Sequence, residues 1–256
     1  MPRHVFVHSL PAFVGPDRFA GAAVVVIDVL RASTTIVHAL EAGAREIVPC
    51  LEVDDARQFA RSTPGDDVLL GGEREGLPIE GFDLGNSPDE YTRDRVVGKT
   101  IAFTTTNGTR AIRHARMAAR LFIGAFVNAE AVVNRLLGED EVHLLCAGTR
   151  GEVGEDDVLL AGLLVERFQR QTGDCAELNA QALTAREFWT HAFALPQAVG
   201  AEPLPAERLA ARLRRSPAAK RLIALGLEAD ILAAAELDRF HGVPVVDPSS
   251  LRIRLP

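Results

Sequence analysis

Residues 24–44 read VVVIDVLRASTTIVHALEAGA: an apolar run is followed by a polar loop and then by a helical pattern. The consecutive β-branched residues at 24–27 are typical of a strand that is buried on both faces. Residues 36–44 predict a helix that closes near Gly43. A buried strand that leads through a short loop into a helix is the unit from which parallel sheets are assembled.

The same alternation continues along the rest of the chain. Strand patterns occupy residues 46–49, 68–70, 100–103, 121–124 and 142–146. Helical patterns occupy residues 54–61, where Asp54 is a candidate cap, and residues 111–119, 129–137 and 156–171. Residues 175–256 are mostly helical in pattern, with an apolar run at 243–246 that predicts a last strand. We therefore predict an α/β fold in which a mostly parallel sheet carries helices on both faces, with residues 1–256 forming one domain.

The charge balance narrows the classes of partner. With 28 Lys and Arg against 35 Asp and Glu, the 256-residue chain has a formal net charge of −7. Nucleic acids and anionic membranes are bound by cationic surfaces, so we expect neither partner. The apolar runs are too short to cross a bilayer, and the N-terminus lacks the apolar region of a signal peptide. The three cysteines, Cys50, Cys146 and Cys175, are odd in number and lack metal-binding spacing, which predicts reduced thiols in a cytoplasmic protein.

Polar loops follow the predicted strands, and each of four loops contains an arginine. These are Arg31, Arg74, Arg110 and Arg150. In an open parallel sheet, ligands bind outside the carboxyl ends of the strands, so we expect these side chains to converge at one edge. Guanidinium groups bind carboxylate, phosphate and sulfonate oxygens through paired hydrogen bonds. Although Arg110 and Arg150 could also be exposed loop charges, the pattern as a whole predicts a small-molecule substrate with several negative groups.

The same loops contain carboxylates, which would repel an anionic ligand unless a cation lay between them. The candidates are Asp28, Glu73 and Asp156 or Asp157, since Mg²⁺ binds one or two carboxylates, waters and a phosphate oxygen. Other roles remain open for these residues. Asp28 could form a structural ion pair, and Asp156 and Asp157 could cap the helix that they precede.

Several well-known catalytic motifs are missing from the sequence. It contains no P-loop, no dinucleotide-binding G-x-G-x-x-G and no G-x-S-x-G nucleophile elbow. Cys146 ends a predicted strand, but Arg150 follows it too early for the loop of a cysteine phosphatase. Leu30 stands where an aspartyl-phosphate enzyme of the haloacid dehalogenase type would carry a second aspartate after Asp28. The residues therefore do not support covalent catalysis.

A family resemblance is carried by a series of motifs spread along the chain. They are DVLRASTT at 28–35, GER at 72–74, GFDLGNSP at 81–88, TTNGTR at 105–110 and CAGT at 146–149. In this order the motifs resemble those of the 2-phosphosulfolactate phosphatases. Residues 156–162 resemble that family's Glu-Asp…Ala-Gly, with Asp156 in the first place, and Asp230, Asp238 and Val243-Pro244 are also similar.

The resemblance implies a Mg²⁺-dependent phosphoric monoester hydrolase with a three-layer α/β/α fold. The implied reaction removes phosphate from 2-phospho-3-sulfolactate, which is a step toward coenzyme M. A substrate with phosphate, sulfonate and carboxylate groups agrees with the arginines found in the loops. Two other hypotheses remain: a Mg²⁺-dependent lyase or isomerase acting on an anionic metabolite, and a non-catalytic binding protein for a phosphorylated metabolite.

The predicted site combines the loop analysis with the resemblance. Its catalytic residues are Asp28, Glu73 and Asp157, and its Mg²⁺ ligands are drawn from these three and Asp156. Its substrate contacts are Arg31, Ser33, Thr34, Arg74, Asn86, Thr106, Asn107, Gly108, Thr109, Arg110, Thr149 and Arg150. Ser33 and Thr34 equally suit helix caps. The Ala- and Leu-rich helices of the C-terminal region could pack in the core or form the interface of a homo-oligomer.

Overall fold

Strands and helices alternate along the chain in the computed structural model, which describes residues 2–63, 67–173, 176–193 and 204–256. The strands are β1 (His4–His8), β2 (Ala23–Ile27), β3 (Glu46–Pro49), β4 (Val68–Arg74), β5 (Leu77–Pro78), β6 (Thr100–Thr104), β7 (Arg120–Gly124), β8 (Glu141–Cys146), β9 (Glu177–Leu178), β10 (Val245–Val246) and β11 (Ile253–Arg254). The α-helices are α1 (Ala32–Glu41), α2 (Val53–Ser62), α3 (Arg93–Val96), α4 (Gly108–His114), α5 (Ala129–Leu136), α6 (Glu155–Thr172), α7 (Ala180–Ala192), α8 (Ala206–Leu213), α9 (Pro217–Ala224) and α10 (Ala229–Ala234). Each strand predicted from the sequence is present.

The strands form a mixed sheet with the order β5-β4-β6-β3-β11-β10-β7-β2-β8-β1-β9. β4, β6 and β3 pair in parallel, as do β7, β2, β8, β1 and β9. Between these two groups lies the antiparallel hairpin of β10 and β11. The predicted last strand at 243–246 is therefore present as β10, but it pairs antiparallel to β7, so the sheet is parallel only within each group.

The two parallel groups run in opposite directions because the hairpin reverses the strand direction between them. β11 is antiparallel to β3, β10 to β11 and β7 to β10. Neighbouring strands are rotated by about 20–25°, so the five steps from β6 to β2 accumulate roughly 100–125° of twist. Because of this twist, the strands of the two groups cross each other instead of running antiparallel, and the carboxyl ends of β6 and β2 meet. An ideal Cβ on Gly108, after β6, would lie 2.8 Å from Asp28 Oδ2, after β2.

Strand β2 is buried on both faces, as its β-branched residues predicted. Val25 belongs to a hydrophobic core that includes residues of α5, α6 and α7. Val24 belongs to a second core that includes residues of α1 and α4. Helices thus cover both faces of the sheet, and the predicted three-layer α/β/α architecture is confirmed.

Several element boundaries differ from the prediction. The cap of α2 is Glu52 rather than Asp54, because the Glu52 backbone N–H donates to Asp55 Oδ2 at 3.1 Å in a reciprocal capping box. β4 continues through Glu73 and Arg74, which the sequence placed in a loop. β1 was not predicted, because its polar histidines interrupt the apolar pattern that identified the other strands.

The cysteines and the helices agree with the expectations from composition as far as they are described. Cys50 and Cys146 are buried free thiols, and Cys175 lies outside the described residues. Across the described ranges, no helix combines the length and the apolar character that crossing a bilayer requires.

Candidate active site

An open cleft lies where the ends of β2, β4, β6 and β8 meet α9. Its volume is about 550 Å³, including its open mouth. The cleft is lined by Asp28, Leu30, Arg31, Glu73, Glu75, Gly76, Asn86, Thr105, Thr106, Asn107, Thr149, Arg150, Ala218, Arg221 and Leu222. Strands from both parallel groups contribute to this lining, so the cleft exists because the twisted sheet brings their ends together.

Asp28 is buried at the end of β2 and is presented to the cleft by a tight turn. Its backbone N–H donates to Ser33 Oγ, and its backbone carbonyl accepts from the Ser33 N–H, both at 2.8 Å. Burial raises the pKa of the Asp28 carboxyl to about 7, and the carboxylates of Asp156 and Glu73 add to the shift. Ser33 therefore stabilises the turn, and Asp28 is the group that faces the cleft.

Asp156 and Asp157 lie in the first turn of α6 and are both buried, but their oxygens have different partners. Asp157 Oδ1 accepts from the Val29 N–H at 2.8 Å, and Asp157 Oδ2 accepts from the Gly148 N–H at 2.9 Å. Asp156 Oδ1, in contrast, is buried without a hydrogen-bond partner. Burial raises the pKa of Asp156 to about 6. Burial, with repulsion from Asp156 and Asp28, also raises the pKa of Asp157. The geometry favours Asp156 over Asp157 as a ligand contact.

Glu73 resembles Asp157 in that each of its carboxylate oxygens accepts a hydrogen bond from a backbone N–H, an arrangement that we call a clamp. Its Oε1 accepts from the Thr106 N–H at 2.7 Å, and its Oε2 accepts from the Gly76 N–H at 2.6 Å. The side chain is buried, and it joins the loop after β6 to the turn after β4. Glu73 thus fixes the relative position of two loops that line the cleft.

Arg31 is buried at the cleft and is held by an ion pair with Asp230 of α10. Its Nη1 lies 2.6 Å from Asp230 Oδ2, and only 4% of each side chain is exposed. Its Nη2 donates to the Gly76 carbonyl at 2.9 Å. Ser87 Oγ also donates to Asp230 Oδ2, at 2.9 Å. The C-terminal region therefore positions an arginine that comes from the first half of the chain.

The structure brings Arg31 and Arg150 to the cleft but not Arg74 and Arg110, so the expected convergence of four arginines needs correction. Arg74 points back across its own sheet, where its Nη2 donates to Thr104 Oγ1 at 2.8 Å. Arg110 lies on α4 with 66% of its side chain exposed, 3.9 Å from Glu52. Arg74 lies within a strand, where side chains alternate between the two faces of the sheet, so its position in the strand sets the direction of its side chain. The sequence pattern had predicted a loop at this residue.

Several predicted hydroxyl contacts are engaged within the fold. Thr34 Oγ1 donates to the Val29 carbonyl at 2.7 Å, and Thr109 Oγ1 donates to the Thr105 carbonyl at 2.9 Å. Gly108 is needed for close packing, because a Cβ there would lie 2.5 Å from the Ala32 Cβ. These residues shape the loops that surround the cleft.

Three buried polar atoms around the cleft have no hydrogen-bond partner. Two of them, Thr106 Oγ1 and Asn86 Oδ1, belong to residues that line the cleft. The third is Asp156 Oδ1, and the Asp156 carboxylate repels that of Asp28. Among the described residues, His38 Nε2 is the one further buried side-chain atom without a partner. A buried polar group without a partner costs about 1–3 kcal/mol, so such a concentration indicates a place where a ligand completes the hydrogen bonds.

The carboxylates at the cleft fit a Mg²⁺ ion of the kind that keeps most of its water ligands. In the described ranges no group of three His, Cys, Asp or Glu side chains is placed to enclose a metal ion. Mg²⁺ needs only one or two carboxylates when waters and a phosphate supply the other oxygens. Asp28 and Asp156 meet this requirement, since both are buried with raised pKa values and Asp156 Oδ1 is unpaired.

Part of the cleft was missed by the sequence analysis. Ala218, Arg221 and Leu222 of α9 form one wall, and Glu75 lies at the turn after β4. α9 follows a long stretch of Ala-, Leu- and Arg-rich sequence, in which an arginine at the cleft resembles any exposed helical arginine. Strand order alone gives no signal for which C-terminal helix covers the site.

Comparison with known proteins places this architecture in a family. A family described as 2-phosphosulpholactate phosphatase matches residues 10–248. A protein of Symbiobacterium thermophilum named probable 2-phosphosulfolactate phosphatase is 41% identical over 230 residues, which cover 90% of this chain and 93% of the relative. A protein of Thermotoga petrophila with the same name is 37% identical over 222 residues, which cover 87% and 88% of the two chains. The match spans the loops that form the cleft, and the chain belongs to the 2-phosphosulpholactate phosphatase family.

Proposed function

We propose that this protein is a Mg²⁺-dependent phosphatase that converts 2-phospho-3-sulfolactate, or a similar phosphorylated hydroxy acid, to the hydroxy acid and inorganic phosphate. Family membership supports the reaction class. The observation that carries the proposal is the cluster of unpaired buried atoms on Asn86, Thr106 and Asp156. Thr106 Oγ1 can donate a hydrogen bond to a phosphate oxygen, Asp156 Oδ1 can bind a cation, and Asn86 Oδ1 can accept a hydrogen bond from the ligand.

In this proposal Asp28 and Asp156 hold Mg²⁺. When bound, the ion neutralises phosphate charge and orients water for in-line attack. The carboxylates of Asp156 and Glu73 repel the buried Asp28 carboxylate, and a bound cation would offset this repulsion. Glu73 and Asp157 act as positioning residues, since each of their oxygens already accepts a backbone N–H bond.

The phosphate group would lie between Arg31 and the loop after β6. Asp230 and the Gly76 carbonyl fix two nitrogens of the Arg31 guanidinium, which leaves other N–H groups for a phosphate oxygen. The Thr106 hydroxyl and the Asn86 side-chain amide can donate to the same group. Together these residues orient the phosphorus atom for attack by water.

Water attacks the phosphorus atom directly, the bond between phosphorus and the ester oxygen breaks, and the departing ester oxygen takes up a proton released by the attacking water. Phosphoryl transfer depends mainly on positioning and on stabilisation of charge, so no nucleophilic side chain is required. Cys146 is unsuited to that role, because burial raises the pKa of its thiol far above neutral pH. We propose further that the reaction occurs in the cytoplasm as a step of the coenzyme M type, in agreement with the buried free thiols Cys50 and Cys146.

The test is phosphate release from 2-phospho-3-sulfolactate and from a panel of phosphorylated hydroxy acids, with Mg²⁺ and with EDTA. We expect release that requires Mg²⁺ and that falls at least 100-fold in Asp28→Asn. An organic product that retains its phosphate would instead indicate a lyase or isomerase. Binding of these compounds by folded protein without any turnover would identify a binding protein and refute the phosphatase.

A further inference from the structure

The mouth of the cleft is bridged by one carboxylate that contacts two arginines. Glu75 forms ion pairs with Arg150, from the loop after β8, and with Arg221, from α9. The Arg221 Nη2 to Glu75 Oε2 distance is 2.9 Å, and all three residues line the cleft. No role for Glu75 or Arg221 follows from the sequence motifs.

Partly buried hydrogen bonds hold the turn that bears Glu75, whereas exposed ion pairs hold the Glu75 side chain. The Gly76 N–H donates to Glu73 Oε2 at 2.6 Å, and the Gly76 carbonyl accepts from Arg31 at 2.9 Å. Glu75 itself has a φ of 58°, a left-handed conformation that non-glycine residues adopt rarely. Its side chain is 59% exposed, so rotation away from the arginines needs no change in the fold.

Acidic side chains and arginines line the cleft together. Among the described lining residues, the carboxylates are Asp28, Glu73 and Glu75, and they equal the arginines in number. The Arg31 guanidinium is already paired with Asp230. A second anionic group on a substrate therefore finds an available guanidinium only at Arg150 and Arg221, and only if Glu75 moves aside.

We propose that Arg150 and Arg221 form the subsite for the non-transferred acidic group of the substrate, a sulfonate or carboxylate, and that Glu75 occupies this subsite until the substrate displaces it. The inference rests on the proposed function, since it assigns the part of the substrate that is not hydrolysed. A sulfonate or carboxylate accepts the same forked hydrogen bonds from arginine that the Glu75 carboxylate accepts now. Glu75 then acts as a built-in competitor that discriminates against ligands with a single negative group.

The test measures binding of sulfolactate by calorimetry, because this compound carries the acidic group but has no phosphate to lose. Lactate, which has the carboxylate of sulfolactate but no sulfonate, shows which of the two acidic groups the subsite binds. In Arg221→Gln we expect sulfolactate to bind roughly 10- to 100-fold more weakly, the loss of a hydrogen-bonded charge pair. In Glu75→Gln we expect it to bind roughly two- to fivefold more tightly, since an exposed competing ion pair is lost. Lactate binding should change in the same direction as sulfolactate binding if the carboxylate occupies the subsite, and should change in neither variant if the sulfonate does.

Arg214→Gln is the matched control, because Arg214 forms an exposed ion pair with Glu228 and does not line the cleft. It should bind sulfolactate like the wild type. Unchanged sulfolactate affinity in Arg221→Gln, weaker affinity in Glu75→Gln, or no binding of sulfolactate to the wild type would each overturn the proposal. Because the readout is binding, the expected pattern in a protein without phosphate release would refute the phosphatase and leave this subsite standing.

Discussion

Replacing Asp156 by asparagine should stabilise the metal-free protein while removing its response to Mg²⁺. Asp156 Oδ1 has no hydrogen-bond partner, so the substitution breaks no bond there. It removes a buried negative charge that lies close to Asp28. When the charge of a residue serves ligand binding rather than folding, replacing that residue is expected to stabilise the protein and impair the site.

The magnitude follows from the pKa of Asp156. Burial raises it from 3.8 to about 6, a difference of about two units, and each unit corresponds to about 1.4 kcal/mol. The folded state therefore binds more protons than the unfolded state between pH 3.8 and 6, and the destabilisation is complete above that window. At pH 7.5 we expect Asp156→Asn to raise the free energy of unfolding by about 1–3 kcal/mol, or the Tm by roughly 2–12 °C. Near pH 3.5 the gain should vanish.

The assay is urea denaturation in EDTA at pH 7.5 and pH 3.5, followed by thermal melts in increasing Mg²⁺. The wild type should gain stability from Mg²⁺, and Asp156→Asn should not. Asp157→Asn is the matched control: its new amide N–H₂ would face the Val29 or the Gly148 N–H, so this variant should be about 1–3 kcal/mol less stable than Asp156→Asn. Equal stabilities of the two variants, or an undiminished response of Asp156→Asn to Mg²⁺, would refute the distinction between a ligand carboxylate and a clamping carboxylate.

Three further changes test the surroundings of the site. Gly108→Ala, whose Cβ would lie 2.8 Å from Asp28 Oδ2, should cost about 1–3 kcal/mol in urea denaturation and lower phosphatase activity, whereas Gly138→Ala, with no atom within 4 Å, should change neither. Asp230→Asn should destabilise the protein by about 3–5 kcal/mol in the same measurement, because it leaves the buried Arg31 without its counter-charge. Burial lowers the pKa of His38 from 6.5 to about 4, so the wild type should lose about 2 kcal/mol of stability to this residue between pH 7.5 and pH 5, a loss that His38→Leu should remove.

The sequence predicted the elements of the fold better than their arrangement. The run at 24–27 identified a strand buried on both faces, because nothing but burial explains consecutive β-branched residues. The antiparallel pairing of the last hairpin could not be predicted, because β10 and β11 have two residues each and their pairing is set by contacts distant in sequence. The prediction of a mostly parallel sheet followed from the local pattern, which contains no information about a reversal in the middle of the sheet.

For the site, the sequence indicated which loops contribute to it but could not distinguish the roles of chemically similar side chains. Asp156 and Asp157 are adjacent and chemically identical, yet one carries an unpaired oxygen and the other has both oxygens bound. Arg31 and Arg74 both follow apolar strands predicted from the sequence, yet of these two only Arg31 lines the cleft. Differences of this kind arise from the direction of one side chain in three dimensions, which neither spacing nor residue type encodes.

The crossed arrangement of the strands explains why clamping carboxylates accompany the proposed metal ligands. Twist alone brings the ends of β2 and β6 together only approximately, because strand rotation varies by several degrees per step. Glu73 fixes the segments after β4 and β6 relative to each other, and Asp157 does the same for the segments after β2 and β8, since each accepts N–H bonds from two segments. Glu73 repels the Asp28 carboxylate, and Asp157 and Asp28 repel each other, so the same residues that fix the loops would increase the affinity of the proposed site for a cation. If Mg²⁺ binds as proposed, rigidity and metal binding at this cleft are coupled, and a substitution of Glu73 or Asp157 should weaken both.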